Sequence, residues 1–288
     1  MTPLALGLIL VAAFTHATWN YAAKRSGGGL PFVWLTGLVS LCFYVPLSTA
    51  YLLWQSPVLP ASAWVVVIGS GLIKTAYALL LQRGYRHGEF SLVYPLARGT
   101  GPLFSTLTAI ALFGERPTPL ALAGGAVIIA SIFALTGGTK LWHADRAHLR
   151  QGLRYGFACG GCIAALTVWD MHAVAHLHLP PLVYDCSTQI VLCAVLAPFA
   201  WPRRAEAAAA WRDHRGKVFV VALLAPLGYI LILTALTFTP VSYIAPAREI
   251  SILIGTFFGA KLLKEADGPR RLLAAAGMVA GVIALAVG

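Results

Sequence analysis

Apolar runs of bilayer length follow one another along the whole chain. They fall at about 4–22, 31–54, 62–82, 90–113 and 118–136, and again at about 153–175, 180–201, 217–237, 240–263 and 270–287. A helix crosses the hydrocarbon core with about 20 apolar residues. In lipid every backbone N–H and C=O must be satisfied, and runs without apolar–polar alternation satisfy them as helices and not as barrel strands. Of 288 residues, 59% are hydrophobic and 11% charged, against about 25% charged in ordinary soluble domains. That balance excludes a soluble enzyme, a disordered chain and a coiled coil. The net charge of +11 does not imply nucleic acid, because the basic residues sit in short loops between apolar runs, where they report topology. The opening MTPLALGLILVAAF has no basic stretch before its apolar core, so it is read as a retained first helix. The expected fold is an all-α membrane protein of ten transmembrane helices, with lipid and a small-molecule substrate as partners.

The second constraint is an internal repeat. At an offset of 150, Trp19-Asn20 meets Trp169-Asp170, Pro31-Phe32-Val33-Trp34 meets Pro181-Leu182-Val183-Tyr184, Arg98 meets Arg248 and Glu115 meets Glu265. Tyr77 meets Tyr229 and Pro95 meets Pro246 with shifts of one or two residues. The chain therefore divides into a first five-helix unit (1–137), a basic linker (138–152) and a second five-helix unit (153–288). Five spans per unit force opposite orientations, so the expected arrangement is an inverted repeat around a central cavity. Of the 21 Lys and Arg residues, 17 lie in the loops after spans 1, 3, 5, 7 and 9. By the positive-inside rule these loops and the linker are cytoplasmic and both termini lie outside.

Ionisable residues within spans are functional candidates, since each costs several kcal/mol unless it faces protein or water. Here they are Lys74, Arg98, Asp170, Asp185, Arg248 and Glu249, with His16 as a titratable neutral. Their charges sum to zero, which suits a zwitterion or a polar neutral metabolite. Arg98 and Arg248 follow Pro95 and Pro246, where a missing backbone donor frees a carbonyl, and helices broken at matching places in two halves point to a midplane site. A guanidinium there can grip a carboxylate with two parallel hydrogen bonds; snorkelling to the interface is the other use of such an Arg. Trp19 and Trp169 offer stacking faces or an interfacial belt. Asn20 and Asp170 offer polar contacts, and Tyr77, Tyr94, Tyr184 and Tyr229 an amphipathic wall. The candidate binding set is thus His16, Trp19, Asn20, Lys74, Tyr77, Tyr94, Arg98, Trp169, Asp170, Tyr184, Tyr229 and Arg248.

Other motifs read as packing. The five cysteines, Cys159-Gly-Gly-Cys162 included, lie among small apolar residues. His172 and His176 share a helix face, but Asp170 points elsewhere, so no metal site is expected. No phosphate loop, HExxH or catalytic triad occurs, so neither cofactor nor enzymatic activity is expected. Gly277-Met-Val-Ala-Gly281 can pack within the chain or form a weak homodimer face.

The stretch Thr15-His16-Ala17-Thr18-Trp19-Asn20-Tyr21-Ala22-Ala23-Lys24 resembles the first span of EamA-type transporters of the drug/metabolite transporter superfamily. Ser91-Leu92-Val93-Tyr94-Pro95-Leu96-Ala97-Arg98, Gly101-Pro102-Leu103-Phe104 and Leu112-Phe113-Gly114-Glu115-Arg116-Pro117-Thr118-Pro119 are similar to that family's fourth span, connector and fifth span. Ser242-Tyr243-Ile244-Ala245-Pro246-Ala247-Arg248 and Leu263-Lys264-Glu265 repeat the pattern more loosely. The resemblance implies ten helices in a basket around a cavity and export of metabolites such as amino acids, aromatic ones included, across the bacterial inner membrane. The chain departs from it twice. The family is usually described with cytoplasmic termini, opposite to the charge bias. In place of the first-helix glutamate of the small multidrug members stands His16, which lowers the alternative of proton-coupled drug or organic-cation efflux.

Overall fold

The computed structural model describes residues 3–57, 60–113, 118–136, 146–239, 249–265 and 267–287. Among them are ten α-helices: α1 (Pro3–Arg25), α2 (Leu30–Gln55), α3 (Ala63–His87), α4 (Phe90–Phe113), α5 (Pro119–Thr136), α6 (Arg146–Met171), α7 (Pro181–Ala200), α8 (Arg204–Leu236), α9 (Ile250–Phe257) and α10 (Gly268–Val287). Six helical segments are long and apolar enough to cross a membrane, and one of these, Pro181–Leu236, contains both α7 and α8. The Glu115 connector, residues 137–145 of the linker and Pro246 lie outside the described residues.

Local chemistry sets the helix ends. Pro31 and Pro181 stand in the first turns of α2 and α7, where a missing N–H costs nothing. Gly27, Gly28 and Gly29 all take positive φ and turn the chain tightly between α1 and α2. Short π-helical turns, His172–His176 and Phe258–Leu262, end α6 and α9. The segment 202–216, which the spacing of the apolar runs leaves as a loop between the seventh and eighth spans, is instead helical. A 3₁₀ turn at Trp201–Arg203 leads straight into α8, and Ala205 with Ala207–Ala210 supplies the strongest helix formers there. His214, at φ −137° and ψ 23°, breaks the regular geometry before the apolar part begins. Likewise α6 starts at Arg146, inside the expected linker.

Packing follows an exchange of the two halves, 1 with 6, 2 with 7, 3 with 8, 4 with 9 and 5 with 10. The pair α1–α8 has its mate in α6–α3, α2–α8 in α7–α3, and α4–α6 in α9–α1, while α2–α7 and α5–α10 map onto themselves. Helix directions can be read from two contacts with α3. Lys24, at the end of α1, donates to the carbonyls of Tyr85 and Gly88 at the end of α3, both at 2.6 Å. Trp169, at the end of α6, donates to the Val66 carbonyl near the start of α3 at 2.8 Å. Outward, the helices present large apolar side chains such as Leu53, Trp54, Trp64 and Leu273, each at least 70% exposed, as a lipid-facing surface requires.

The α5–α10 seam shows why small residues sit where they do. A Cβ on Gly124 would stand 2.5 Å from the Leu285 nitrogen, and one on Gly281 would stand 2.8 Å from the Gly124 oxygen. Backbone meets backbone here, so the Gly277–Gly281 pair packs within the chain. Gly124→Leu should therefore destabilise the protein by about 1–3 kcal/mol or more, seen as a lowered melting temperature in detergent. Gly161, whose Cβ would meet nothing within 4 Å, should accept Ala without loss.

Candidate functional site

A cavity of about 160 Å³ lies between the halves, with room for on the order of ten water-sized positions. The first half lines it with His16 and Trp19 of α1, Thr36 and Ser40 of α2, Lys74, Tyr77 and Gln82 of α3 and Arg98 of α4. The second half adds Thr167 and Asp170 of α6, Gln189 of α7 and Pro226 and Tyr229 of α8. Leu81, Ile163, Leu166, Leu192 and Val221 form the apolar wall.

Three polar groups dominate the wall. Asp170 is 2% exposed and its carboxylate is caged by hydroxyls from three helices. Ser70 donates to Oδ1 at 2.6 Å, Tyr184 to Oδ1 at 2.5 Å, and Tyr229 to Oδ2 in a short bond. Among the described residues Asp170 is the wall's one carboxylate. Beside it, Lys74 pairs with Asp185 at 2.5 Å and reaches Thr188 at 3.2 Å, its Nζ lying 5.8 Å from the Tyr229 ring centre. This cation is already spent on an internal partner. Arg98 is different. It is 8% exposed, lines the cavity and keeps its Nη2 without a hydrogen-bond partner. Its main opposing charge is Glu249, on the residue preceding α9. A buried guanidinium nitrogen without a partner, on a residue that lines a cavity, is a candidate to meet an anionic acceptor, because leaving it unmet costs about 1–3 kcal/mol.

The predicted residues divide accordingly. His16, Trp19, Lys74, Tyr77, Arg98, Asp170 and Tyr229 share the wall. Asn20 is not in it. Its amide donates to the His16 carbonyl at 2.7 Å and its oxygen accepts from the Tyr85 hydroxyl at 2.6 Å, so it fixes α1 against α3. Tyr94 is 1% exposed in the aromatic core next to Phe90, and Tyr184 holds Asp170 from behind. Trp169, expected as the mate of Trp19, lies 39% exposed with its ring over Gly69. Arg248 lies outside the described residues. Trp19 donates to His16 Nδ1 at 3.2 Å, which holds the indole at the wall.

Sequence reading missed Ser70, Thr36, Ser40, Gln82, Thr167 and Gln189, whose residue types are common in membrane helices and carry no spacing signal. His172 and His176 stack at 5.2 Å, and no cluster of three or more His, Cys, Asp or Glu that could hold a metal occurs among the described residues.

The family model described as the EamA-like transporter family matches twice, at residues 3–137 and 152–287. A solved structure, described only as a crystal structure of a protein, aligns at TM-score 0.60 and 17% identity over 99% of this chain and 96% of its own, a likeness of fold. No curated protein matches significantly.

Proposed function

Because the chain belongs to the EamA-like transporter family, and so to the membrane transporters of the drug/metabolite superfamily and not to enzymes, we propose that it exports small zwitterionic metabolites, amino acids above all, across the bacterial inner membrane. The observation that carries this reading is Arg98, a buried guanidinium in the cavity wall whose Nη2 has no hydrogen-bond partner. It takes the substrate carboxylate. Asp170 takes the ammonium, which enters by displacing or joining its hydroxyl cage. Trp19 and Tyr77 enclose the apolar side chain, so an aromatic amino acid fits the wall best. Arg248 is assigned to the opposite half-site on the strength of the repeat alone.

Alternating access arises from rocking one five-helix unit against the other. Ten spans in two inverted units are supported by the paired packing and by the opposite ends of α3 that α1 and α6 reach. The charge bias puts both termini outside and the linker in the cytoplasm.

One observation favours the second reading, proton-coupled drug or organic-cation efflux: the Asp170 carboxylate stands in the cavity wall. Its two oxygens already accept three hydroxyls, which leaves it a weak site for a bulky cation without donors. Uptake into proteoliposomes separates the two. Neutral aromatic amino acids should compete with a labelled amino acid, and their methyl esters, which lack the carboxylate, should compete about 10–100-fold less well. Competition by lipophilic cations and not by amino acids would replace the first reading with the second.

A further inference from the structure

A charged cluster from both halves of the chain joins the start of α4 to the turn between α9 and α10. Glu265, 9% exposed in its side chain, accepts the N–H of Phe90 on Oε1 at 2.7 Å and that of Ser91 on Oε2 at 2.8 Å. These are the first free donors of α4, at the positive end of its dipole, where a carboxylate is favoured. Arg271 donates to Ser91 Oγ at 2.5 Å, pairs with Glu89 and stands 3.9 Å from Glu265. Gly259, in the turn that follows α9, is pressed against this joint. A Cβ there would lie 2.8 Å from both Glu265 Oε2 and Ser91 Cβ. Lys24 adds bonds to the carbonyls of Tyr85 and Gly88.

Inward of the cluster, Tyr85 lies tilted against Phe90 at 5.3 Å between centroids, and Phe90 stacks on Tyr94 at 5.1 Å. Arg98 follows one turn beyond Tyr94 on α4. The sequence therefore runs latch, aromatic plug, substrate-facing guanidinium along one helix face, and the latch partners come from the other half of the chain.

We propose that Glu265 and Arg271 form the gate latch of the basic-loop end. Closed, they pin the start of α4 and keep the aromatic plug shut. Release lets α4 swing away from the α9–α10 turn, opening the cavity to that side while the two α4 N–H groups and the Glu265 carboxylate pass to water. Glu265 is thus a positioning residue that acts on Arg98 through α4. The proposal rests on the transporter reading, yet its test needs no substrate.

The five native cysteines are replaced, and a single Cys is placed at Ala78, a partly buried wall residue. A membrane-impermeant thiol reagent is then applied to vesicles of either orientation. Glu265→Gln should raise labelling from the basic-loop side about tenfold, the size of one charge-assisted hydrogen bond, and lower it from the opposite side. Glu265→Asp, which keeps a carboxylate, should fall between. Arg271→Gln should shift the two sides in the same senses, and it serves as the test where Glu265→Gln does not fold. Unchanged labelling, or an equal rise from both sides as in a merely loosened bundle, overturns the latch. Uptake of amino acids by the wild type tests the function separately, so either idea can fail alone.

Discussion

Replacing Arg98 by lysine should weaken amino-acid binding about 10–100-fold while leaving the fold intact. Lysine keeps the positive charge opposite Glu249, so no uncompensated buried carboxylate is created. What it loses is the planar fork that engages a carboxylate through two parallel N–H groups. One charge-assisted hydrogen bond is worth about 1.5–3 kcal/mol, which is the fold-change stated. Arg98→Ala is the less informative variant, because it removes the grip and the positive charge near Glu249 together. The measurement is competition binding on purified protein, with melting temperature as the control for folding. Equal affinity of Arg98→Lys and wild type for an amino acid, or equal affinity of wild type for the acid and its ester, would remove Arg98 from the site.

The largest stability effect is expected at Lys74 and Asp185. Asp185 is 1% exposed, and the 2.5 Å pair with Lys74 is the main compensation for burying it. Removing one partner of a buried pair costs about 3–5 kcal/mol, since the other remains as an unpaired charge. Lys74→Met should therefore lower the melting temperature sharply. Lys74→Met combined with Asp185→Leu should recover most of the loss, because two apolar residues of similar volume carry no desolvation debt. Thr188 then loses the Lys74 contact but keeps the bond that its hydroxyl donates to the Asp185 carbonyl at 2.8 Å. If Lys74→Met alone is as stable as wild type, the pair does not hold α3 to α7.

These two expectations show where sequence reading succeeds. Lipid leaves few choices to a run of apolar residues, so the helices and the division into two halves were legible. The packing exchange that pairs α1–α8 with α6–α3 follows the repeat read from Trp19-Asn20 and Trp169-Asp170. Arg98 and Asp170 stood out because a charge within a span must have a reason to be there.

What failed did so for stated causes. The segment 202–216 reads as a loop because it is a long gap between apolar runs, but its run of alanines is helical without needing an apolar face. Trp169 reads as a site residue because the repeat equates it with Trp19. A repeat fixes where a residue stands on the backbone and not which way its side chain turns, and Gly69 makes room for the indole on α3. The roles of Ser70 and Tyr184 around Asp170 arise only when α3, α6 and α7 meet. Lys74 and Asp185 were both visible as charges, but 111 residues separate them and nothing short of the fold pairs them.

The proposed opposed orientation of the two halves has its direct test in the sidedness of Arg25 and His176. Both are exposed, at the ends of α1 and of the π turn after α6, which are equivalent places in the repeat. Single cysteines at these positions, in protein freed of its native thiols, should be labelled by an impermeant reagent from opposite faces of the membrane. Labelling of both from the same face would mean parallel halves, and with them no common cavity for alternating access.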